Sequence, residues 1–146
     1  MSNKPVVEAL KNVLADSYLL YLKTQNFHWN VTGPQFRSLH LLFEEQYQDL
    51  AAAVDTIAES IRSLGEKAPG TFEAYQKISH IKPGNENTDA NNMVKELAQD
   101  QVVITKTLTN LLEAAQTAED EVVVDLAVGR LTKHRENKWM LESSAA

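Results

Sequence analysis

Apolar residues recur at three- and four-residue steps along four long stretches of this 146-residue chain. No stretch alternates apolar and polar residues as a half-buried strand does, so the pattern predicts an all-α protein. Four long helices in a chain of this length pack as a bundle, because each must bury its apolar stripe against the others. We therefore predict an all-α four-helix bundle that forms a single domain over residues 1–146.

Glycine, proline and capping residues predict where the helices end. Thr32-Gly33-Pro34 separates the first two helices, Gly65 ends the second, and Thr71 caps a short helix. Residues 65–88, which precede the third long helix, are numerous enough to cross the length of the bundle. The predicted helices, in chain order, are 3–30, 34–64, 71–77, 89–115 and 120–141.

Five side chains of metal-binding types lie at the first helical hairpin and along the second helix. They are His28, His40, Glu44, Asp55 and Glu59. Two imidazoles and three carboxylates suit a divalent metal such as Fe(II), Mn(II) or Zn(II). The ordinary explanation for carboxylates four residues apart is a solvated face. However, the apolar residues around Asp55 and Glu59 leave little room for a wholly exposed helix, and like charges at this spacing favour a bound cation.

One metal ion cannot bind both ends of this ligand set within one chain. His40 and Asp55 are 15 residues apart on one predicted helix, which is about 22 Å along its axis, whereas ligand bonds are about 2 Å long. Either the two groups serve different purposes, or an antiparallel copy of the helix supplies the missing half across a two-fold axis. We favour the second interpretation. Ala51-Ala52-Ala53, near the midpoint of the ligands, would allow close approach.

Two tryptophans and two further histidines have ordinary structural explanations. Trp29, next to the first candidate histidine, is expected to pack in the core or in an interface. Its functional alternative is an electron donor that intercepts oxidising intermediates. Trp139 is interpreted as packing, and His80 and His134 are interpreted as surface residues.

Glu121 and Asp125 share a face in the first turns of the last helix. Negative charge there favours the helix dipole, which is the ordinary explanation. The alternative is an acidic lining that guides cations, which requires symmetry to focus them.

Charge and composition exclude several classes of protein. The net charge of −6 argues against nucleic acid as a default partner, and the expected tails offer only Lys4 to a phosphate backbone. No apolar run approaches the roughly 18 residues of a membrane span, and residues 1–5 do not resemble a signal peptide. The chain has no cysteine, which excludes disulfides and fits a reducing cytoplasm. No histidine follows a glutamate by three residues, which argues against a di-iron site inside one bundle.

The run His28-Trp29-Asn30-Val31-Thr32-Gly33-Pro34-Gln35-Phe36, followed by His40, Phe43, Asp55 and Ala58-Glu59, closely resembles the Dps family of ferritin-like mini-ferritins. Weaker similarity covers nearly the whole chain, including Trp139-Met140-Leu141. The resemblance implies a ferritin-like four-helix bundle with a short extra helix in the long connection between the second and third helices. It also implies a hollow dodecamer that oxidises Fe(II), usually with hydrogen peroxide, and stores ferric oxide inside.

The resemblance also implies roles for the candidate ligands. His28 and His40 of one chain would face Asp55 and Glu59 of its two-fold neighbour, and Glu44 would be an additional ligand. Many members of the family carry aspartate at the position of Glu44.

The resemblance further implies that Glu121 and Asp125 line three-fold entry pores. We therefore expect a cytoplasmic iron-storage and iron-detoxification protein, a ferroxidase that protects against oxidative stress, with Trp29 near the reacting iron. Two alternatives stay open: a DNA-compacting shell, and a helical interaction module without metal chemistry. DNA binding through the tails is not expected, because this chain lacks the lysine-rich tail of many members.

Overall fold

The computed structural model describes residues 3–145, and within them the chain forms helices and no strand. The elements are α1 (Lys4–Asn30), α2 (Phe36–Ser63), α3 (Phe72–Ile78), α4 (Ala90–Thr117) and α5 (Glu121–Ser144). The predicted all-α ferritin-like bundle, with a short helix between the second and third long helices, is therefore confirmed. None of these helices combines the length and the apolar character needed to span a membrane.

Local capping explains the helix ends. The side chains of Thr71, Asp89 and Asp120 accept hydrogen bonds from the backbone N–H three residues later, at 3.1, 2.8 and 3.1 Å. Asp89 and Asp120 were expected as first helical residues and are N-caps instead. Gly33 and Gly65 adopt left-handed φ values of +114° and +93° at the two ends of α2. Only glycine takes such values without strain, so both terminators act where the sequence predicted them.

The long helices pack as two antiparallel pairs, α1 with α2 and α4 with α5, joined mainly along α1 and α4. Their shared interior is apolar and closed to solvent. Its largest fully buried side chains are Phe27, Phe43, Leu10, Leu14, Leu20, Leu50, Ile57, Ile61, Met93, Leu97, Ile104 and Leu108. The helical period of these residues is the one from which the bundle was predicted.

The long connection between α2 and α4 is held to the bundle by one buried carboxylate. Asp16 of α1 accepts hydrogen bonds from Ser79 Oγ (2.8 Å), the His80 backbone N–H (2.7 Å) and Thr107 Oγ1 (2.6 Å). The His80 ring also contacts it, with Nδ1 at 3.2 Å, while remaining exposed as predicted. A buried carboxylate needs such partners to offset its lost hydration. Asp16 therefore ties the connection to both α1 and α4.

A second anchor is a close approach of backbone to α1. The Gly84 carbonyl accepts a hydrogen bond from Asn26 Nδ2 at 3.1 Å. A Cβ at this position would lie only 2.8 Å from the Phe27 ring and 3.0 Å from Lys23. Glycine is required here by space, so the connection lies flat against the helix that carries the candidate histidines.

His134 is fully buried, so its interpretation as a surface residue was wrong. Its Nδ1 donates to Gln101 Oε1 (2.7 Å), and its Nε2 accepts from Arg130 (3.1 Å), which also pairs with Asp49 through both terminal nitrogens (3.1 and 2.9 Å). Burial, followed by the charges of Arg130 and Lys133, lowers the pKa of His134 to about 3. The imidazole is therefore neutral at physiological pH and works as a core hydrogen-bonding group.

We expect the free energy of unfolding to fall as pH drops from about 6.5 toward 3, because the unfolded chain takes up a proton that folded His134 rejects. One such residue contributes a slope of about 1.4 kcal/mol per pH unit. His134→Gln, which does not titrate, should remove that slope. Denaturant unfolding at pH 6.5, 5.5 and 4.5 and constant protein concentration measures it. Equal slopes for the variant and the wild type would contradict the assignment.

Candidate metal centre

His28 and His40 face each other across the α1–α2 hairpin. Their rings stack with centroids 3.8 Å apart and an interplanar angle of 13°. The Nδ1 atom of each ring lies 2.7 Å from the backbone carbonyl oxygen of the other residue. Because a carbonyl only accepts, both Nδ1 atoms carry a proton and donate it. With Nδ1 as the donor, the lone pair of the neutral tautomer lies on Nε2, which is the form in which histidine binds a metal.

The tight turn at 31–35 brings the two rings into register. α1 ends at Asn30, and the Val31 backbone N–H still bonds to the Phe27 carbonyl at 3.0 Å. Val31 is buried, and Gly33 supplies the positive φ that reverses the chain. α2 then begins at Phe36, whose N–H bonds to the Gly33 carbonyl at 3.0 Å. This geometry places the last turn of α1 beside the second turn of α2.

Two aromatic rings hold the imidazole pair from either side. Phe36 stacks on His40 with centroids 4.9 Å apart. Tyr47 meets the His28 ring edge-on, at 5.1 Å and 61°. Such contacts restrict rotation of both rings. Tyr47 was not among the sequence candidates, although it lies seven residues after His40, and that spacing puts it on the same face of α2.

Glu44 lies with the histidines. Its Oε1 is 3.9 Å from His28 Nε2, and its side chain is half-exposed. The structure therefore brings together two imidazoles and one carboxylate, drawn from α1 and α2. Within residues 3–145, no three histidine, aspartate or glutamate side chains are close enough to form a complete metal cluster. The described part of one chain therefore does not by itself hold the full candidate ligand set.

Asp55 and Glu59 form a separate acidic pair on the same helix. Both are exposed in the single chain, while Ile57 and Ile61 on the other face of the helix are buried, so the helix is not wholly exposed. A hydrogen bond to Asp55, followed by the repulsion of its charge, raises the pKa of Glu59. The two carboxylates therefore lie near each other on an exposed face, and a divalent cation would reduce the repulsion between them.

The structure keeps the two ligand groups apart. α2 is one continuous helix from Phe36 to Ser63, so the axial separation of about 22 Å between His40 and Asp55 stands. The alternatives from the sequence are unchanged: two different purposes, or a second copy that supplies the missing half. Ala51 and Ala52, between the two groups, are exposed.

Trp29 and Trp139 are exposed, at 60% and 62%. Trp139 was expected to pack and does not do so within the chain, while for Trp29 packing in the core is excluded and packing in an interface stays open. Trp29 lines a groove of about 810 Å³ between α1 and the connection, together with the exposed Leu22 and Phe72. Apolar character alone does not distinguish a core position from one covered by another subunit.

Glu121 and Asp125 are both exposed at the start of α5. Between them lies Val122, an apolar side chain that is 81% exposed. Asp120 is the N-cap of this helix, so Glu121 and Asp125 are not needed as capping residues. Their contribution to the helix dipole and their predicted place in a pore stay as alternatives.

Comparison with known proteins agrees with this geometry. The chain matches the ferritin-like domain family over residues 7–145. DNA protection during starvation protein 2 of Bacillus anthracis is 38% identical over 141 residues, covering 97% of each chain. The crystal structure of Dps from Staphylococcus aureus superposes with a TM-score of 0.93 at 38% identity, covering 97% of this chain and 95% of the other.

A third relative carries a chemical description. The Dps protein of Vibrio cholerae O1, described as a member of a broad superfamily of ferritin-like diiron-carboxylate proteins, superposes with a TM-score of 0.92 at 29% identity, covering 97% of this chain and 89% of the other. Similarity thus extends over nearly the full length of this chain in both sequence and structure. The chain belongs to the Dps family of ferritin-like proteins.

Proposed function

We propose that this protein stores iron and oxidises Fe(II), using hydrogen peroxide, at sites shared between two copies of the chain. The observation that carries the proposal is the division of ligands along α2. The imidazole pair and Glu44 lie at one end, and Asp55 and Glu59 lie at the other, facing solvent. An antiparallel mate of α2 would bring each end to the complementary end of its neighbour.

The donor set fits Fe(II) as substrate. Nε2 of His28 and His40 supplies two neutral nitrogen ligands, and carboxylates supply oxygen ligands and negative charge. The fixed Nδ1 hydrogen bonds hold both rings in the ligating tautomer before any metal arrives. Because three carboxylates converge in the proposed site, Fe(III) would be stabilised more than Fe(II), which favours oxidation.

The stoichiometry of the proposed reaction explains why it would remove both Fe(II) and hydrogen peroxide without releasing a radical. Two Fe(II) ions give one electron each to one hydrogen peroxide molecule, which takes up two protons and becomes two water molecules. No hydroxyl radical is formed when both electrons arrive together. The protein's share of the work is to hold iron and peroxide in contact and to route the product inward. In the proposed dodecamer, the product would collect as ferric oxide in the central cavity.

Exposed apolar side chains supply the surfaces that such an assembly would bury. Leu22, Trp29 and Phe72 are exposed beside the histidine end of α1, and Val122 and Trp139 are exposed on α5. Trp29 next to His28 would then be covered by the mate while lying close to the reacting iron. In that position it could also donate an electron.

Protection of DNA appears in the names of the relatives. For this chain we propose that protection comes from removing Fe(II) and peroxide. The net charge of −6 disfavours direct contact with DNA phosphates.

A mixing experiment tests the shared site directly. His28→Asn with His40→Asn keeps a donor near each Nδ1 position and removes Nε2. Asp55→Asn with Glu59→Gln removes the opposite half of the site. Each double variant alone should lose peroxide-dependent Fe(II) oxidation. Assembled together in equal amounts, they should recover about a quarter of the wild-type rate per chain, because half of random dimers are mixed and each mixed dimer has one intact site.

Stopped-flow absorbance of Fe(III) formation measures the recovery. The control is each double variant assembled with itself at the same total concentration. If the ligands came from one chain, no mixture would contain an intact site. Absence of recovery in mixed assemblies of normal mass would therefore overturn the shared site.

The proposed pores give an independent prediction. Glu121→Gln with Asp125→Asn should slow Fe(II) uptake at low ionic strength by about tenfold, because focused negative charge raises cation arrival rates. The difference should shrink as salt screens the field. Glu8→Gln with Glu73→Gln removes the same charge from exposed positions on other helices. Equal uptake by the two variants would exclude a pore role.

Duplex DNA separates the proposed function from a DNA-compacting shell. We expect no retardation of DNA near neutral pH in magnesium-free buffer, because every copy in the assembly adds negative charge that repels phosphates. Gel-shift titration over a range of salt concentrations measures this. Clear retardation that weakens with salt would show direct binding.

A further inference from the structure

All four tyrosines of the chain lie in one continuous series of ring contacts that begins at the imidazole pair. Tyr47 lies 5.1 Å from His28, and Tyr21 lies 6.0 Å from Tyr47. Tyr18 follows at 5.8 Å from Tyr21, and Tyr75 at 5.0 Å from Tyr18. All of these distances join ring centroids and lie within the range of direct aromatic contact. We call these four residues the tyrosine series.

Helical spacing places the tyrosines along the α1–α2 hairpin on the same side as the two histidines. Tyr21 precedes His28 by one heptad on α1, and Tyr47 follows His40 by one heptad on α2, so the tyrosine pair repeats the histidine pair two turns further along. From His28 to Tyr18 the series runs ten residues of α1, which is about 15 Å. It then passes to Tyr75 on α3, beside the long connection.

Packing alone does not explain the phenols. Phenylalanine fills such positions without a hydroxyl that must be satisfied, and this chain uses phenylalanine for the core, where Phe27 and Phe43 are fully buried. Phenylalanine only adjoins the series, where Phe36 stacks on His40 and Phe72 touches Tyr18. Every ring of the series from Tyr47 to Tyr75 is a tyrosine, and tyrosine is far more easily oxidised than phenylalanine.

The far end of the series is sheltered. Tyr75 is buried, and its hydroxyl donates to the Pro69 carbonyl at 2.6 Å. Burial, followed by the neighbouring Tyr18, raises the pKa of Tyr75. The last phenol therefore holds its proton and is shielded from solutes.

We propose that the tyrosine series stores one oxidising equivalent when peroxide meets a site that holds a single Fe(II). This inference rests on the proposed ferroxidase function and adds to it. Tyr47, which contacts His28, is the first donor, and the oxidised position then moves through Tyr21 and Tyr18 to Tyr75. The tyrosines act by electron transfer and bind no iron themselves.

The electrons and atoms balance without a further reagent. One Fe(II) and the Tyr47 phenol each give one electron to hydrogen peroxide, and the phenol proton and one proton from solvent complete two water molecules. The products are Fe(III) and a neutral phenoxyl radical on Tyr47. Each later step moves one electron and one proton from the next phenol to the phenoxyl before it. A second Fe(II) at the site then becomes Fe(III), and its electron passes back along the series, together with one proton, to restore the last phenol.

The consequence is that each site can reduce peroxide with iron ions that arrive one at a time. Without the series, a single Fe(II) would give peroxide only one electron and release a hydroxyl radical. The shared site makes single occupancy the normal condition whenever iron is scarce.

Electron paramagnetic resonance tests the proposal. Wild-type protein is loaded with one Fe(II) per site, mixed with one equivalent of hydrogen peroxide and frozen at successive times. We expect a tyrosyl radical whose hyperfine splitting collapses when the chain is made with ring-deuterated tyrosine, and which a second equivalent of Fe(II) abolishes. Tyr47→Phe should reduce this signal to background and raise the yield of spin-trapped hydroxyl radical.

Variants along the series place the radical. Tyr75→Phe should keep the signal with altered splitting, since the radical then stops at Tyr18. Glu8→Gln removes an exposed charge from α1, outside the series, and should change nothing. Trp29→Phe tests the rival donor beside His28. A tryptophan signal that disappears in Trp29→Phe and persists in Tyr47→Phe would overturn the proposal.

The outcomes separate this inference from the function on which it rests. If wild-type protein fails to oxidise Fe(II) with peroxide, the ferroxidase proposal fails. If it oxidises Fe(II) but deuterated tyrosine leaves every radical spectrum unchanged, only the tyrosine series is refuted. The isotope comparison uses wild-type protein, so it distinguishes these outcomes even if Tyr47→Phe does not assemble.

Discussion

The reciprocal hydrogen bonds between His28 and His40 both close the α1–α2 hairpin and fix the tautomers of the two rings. The last carbonyls of a helix lack intrahelical partners, and the His40 ring satisfies the His28 carbonyl near the end of α1. In turn, the His28 ring donates a hydrogen bond to the backbone carbonyl of His40 on α2. The contact that closes the hairpin is therefore the contact that fixes both tautomers. A substitution of either histidine that removes its Nδ1–H also weakens the 31–35 turn, unless the new side chain donates a hydrogen bond in its place.

Most of the fold could be predicted because helical period and turn residues act locally. Gly33 and Gly65 end their helices as expected, and the predicted helix ends lie within three residues of those observed. His134 was misjudged because its charged neighbours suggested a surface position. The spacing of Ala127, Arg130, His134 and Leu141 marks the buried face of α5 instead. The helical period of the buried positions on α5 therefore predicts the burial of His134 better than the charge of its sequence neighbours does.

The structure of the single chain bears on only part of the predicted site, because the proposed other half would depend on what covers the chain. Ligand types and spacing gave His28, His40 and Glu44, and the structure brings those three together. Asp55, Glu59 and Trp29 are exposed in the single chain. The local sequence around an apolar or acidic residue does not show whether solvent or a second subunit lies against it. Tyr47 was missed because its partner, the His28 ring, lies on another helix.

Under the proposed function, division of the ligands along α2 would make iron chemistry depend on assembly. A single chain holds the imidazoles and the acidic pair about 22 Å apart, so the proposed site would be incomplete in an unassembled chain. The tyrosine series lies on α1, α2 and α3 of the chain that provides the histidines. Under the proposal, each histidine half-site would bring its own tyrosine series to the interface. The series would act only when a neighbour's carboxylates complete the site, which would confine the oxidising step to the assembled protein.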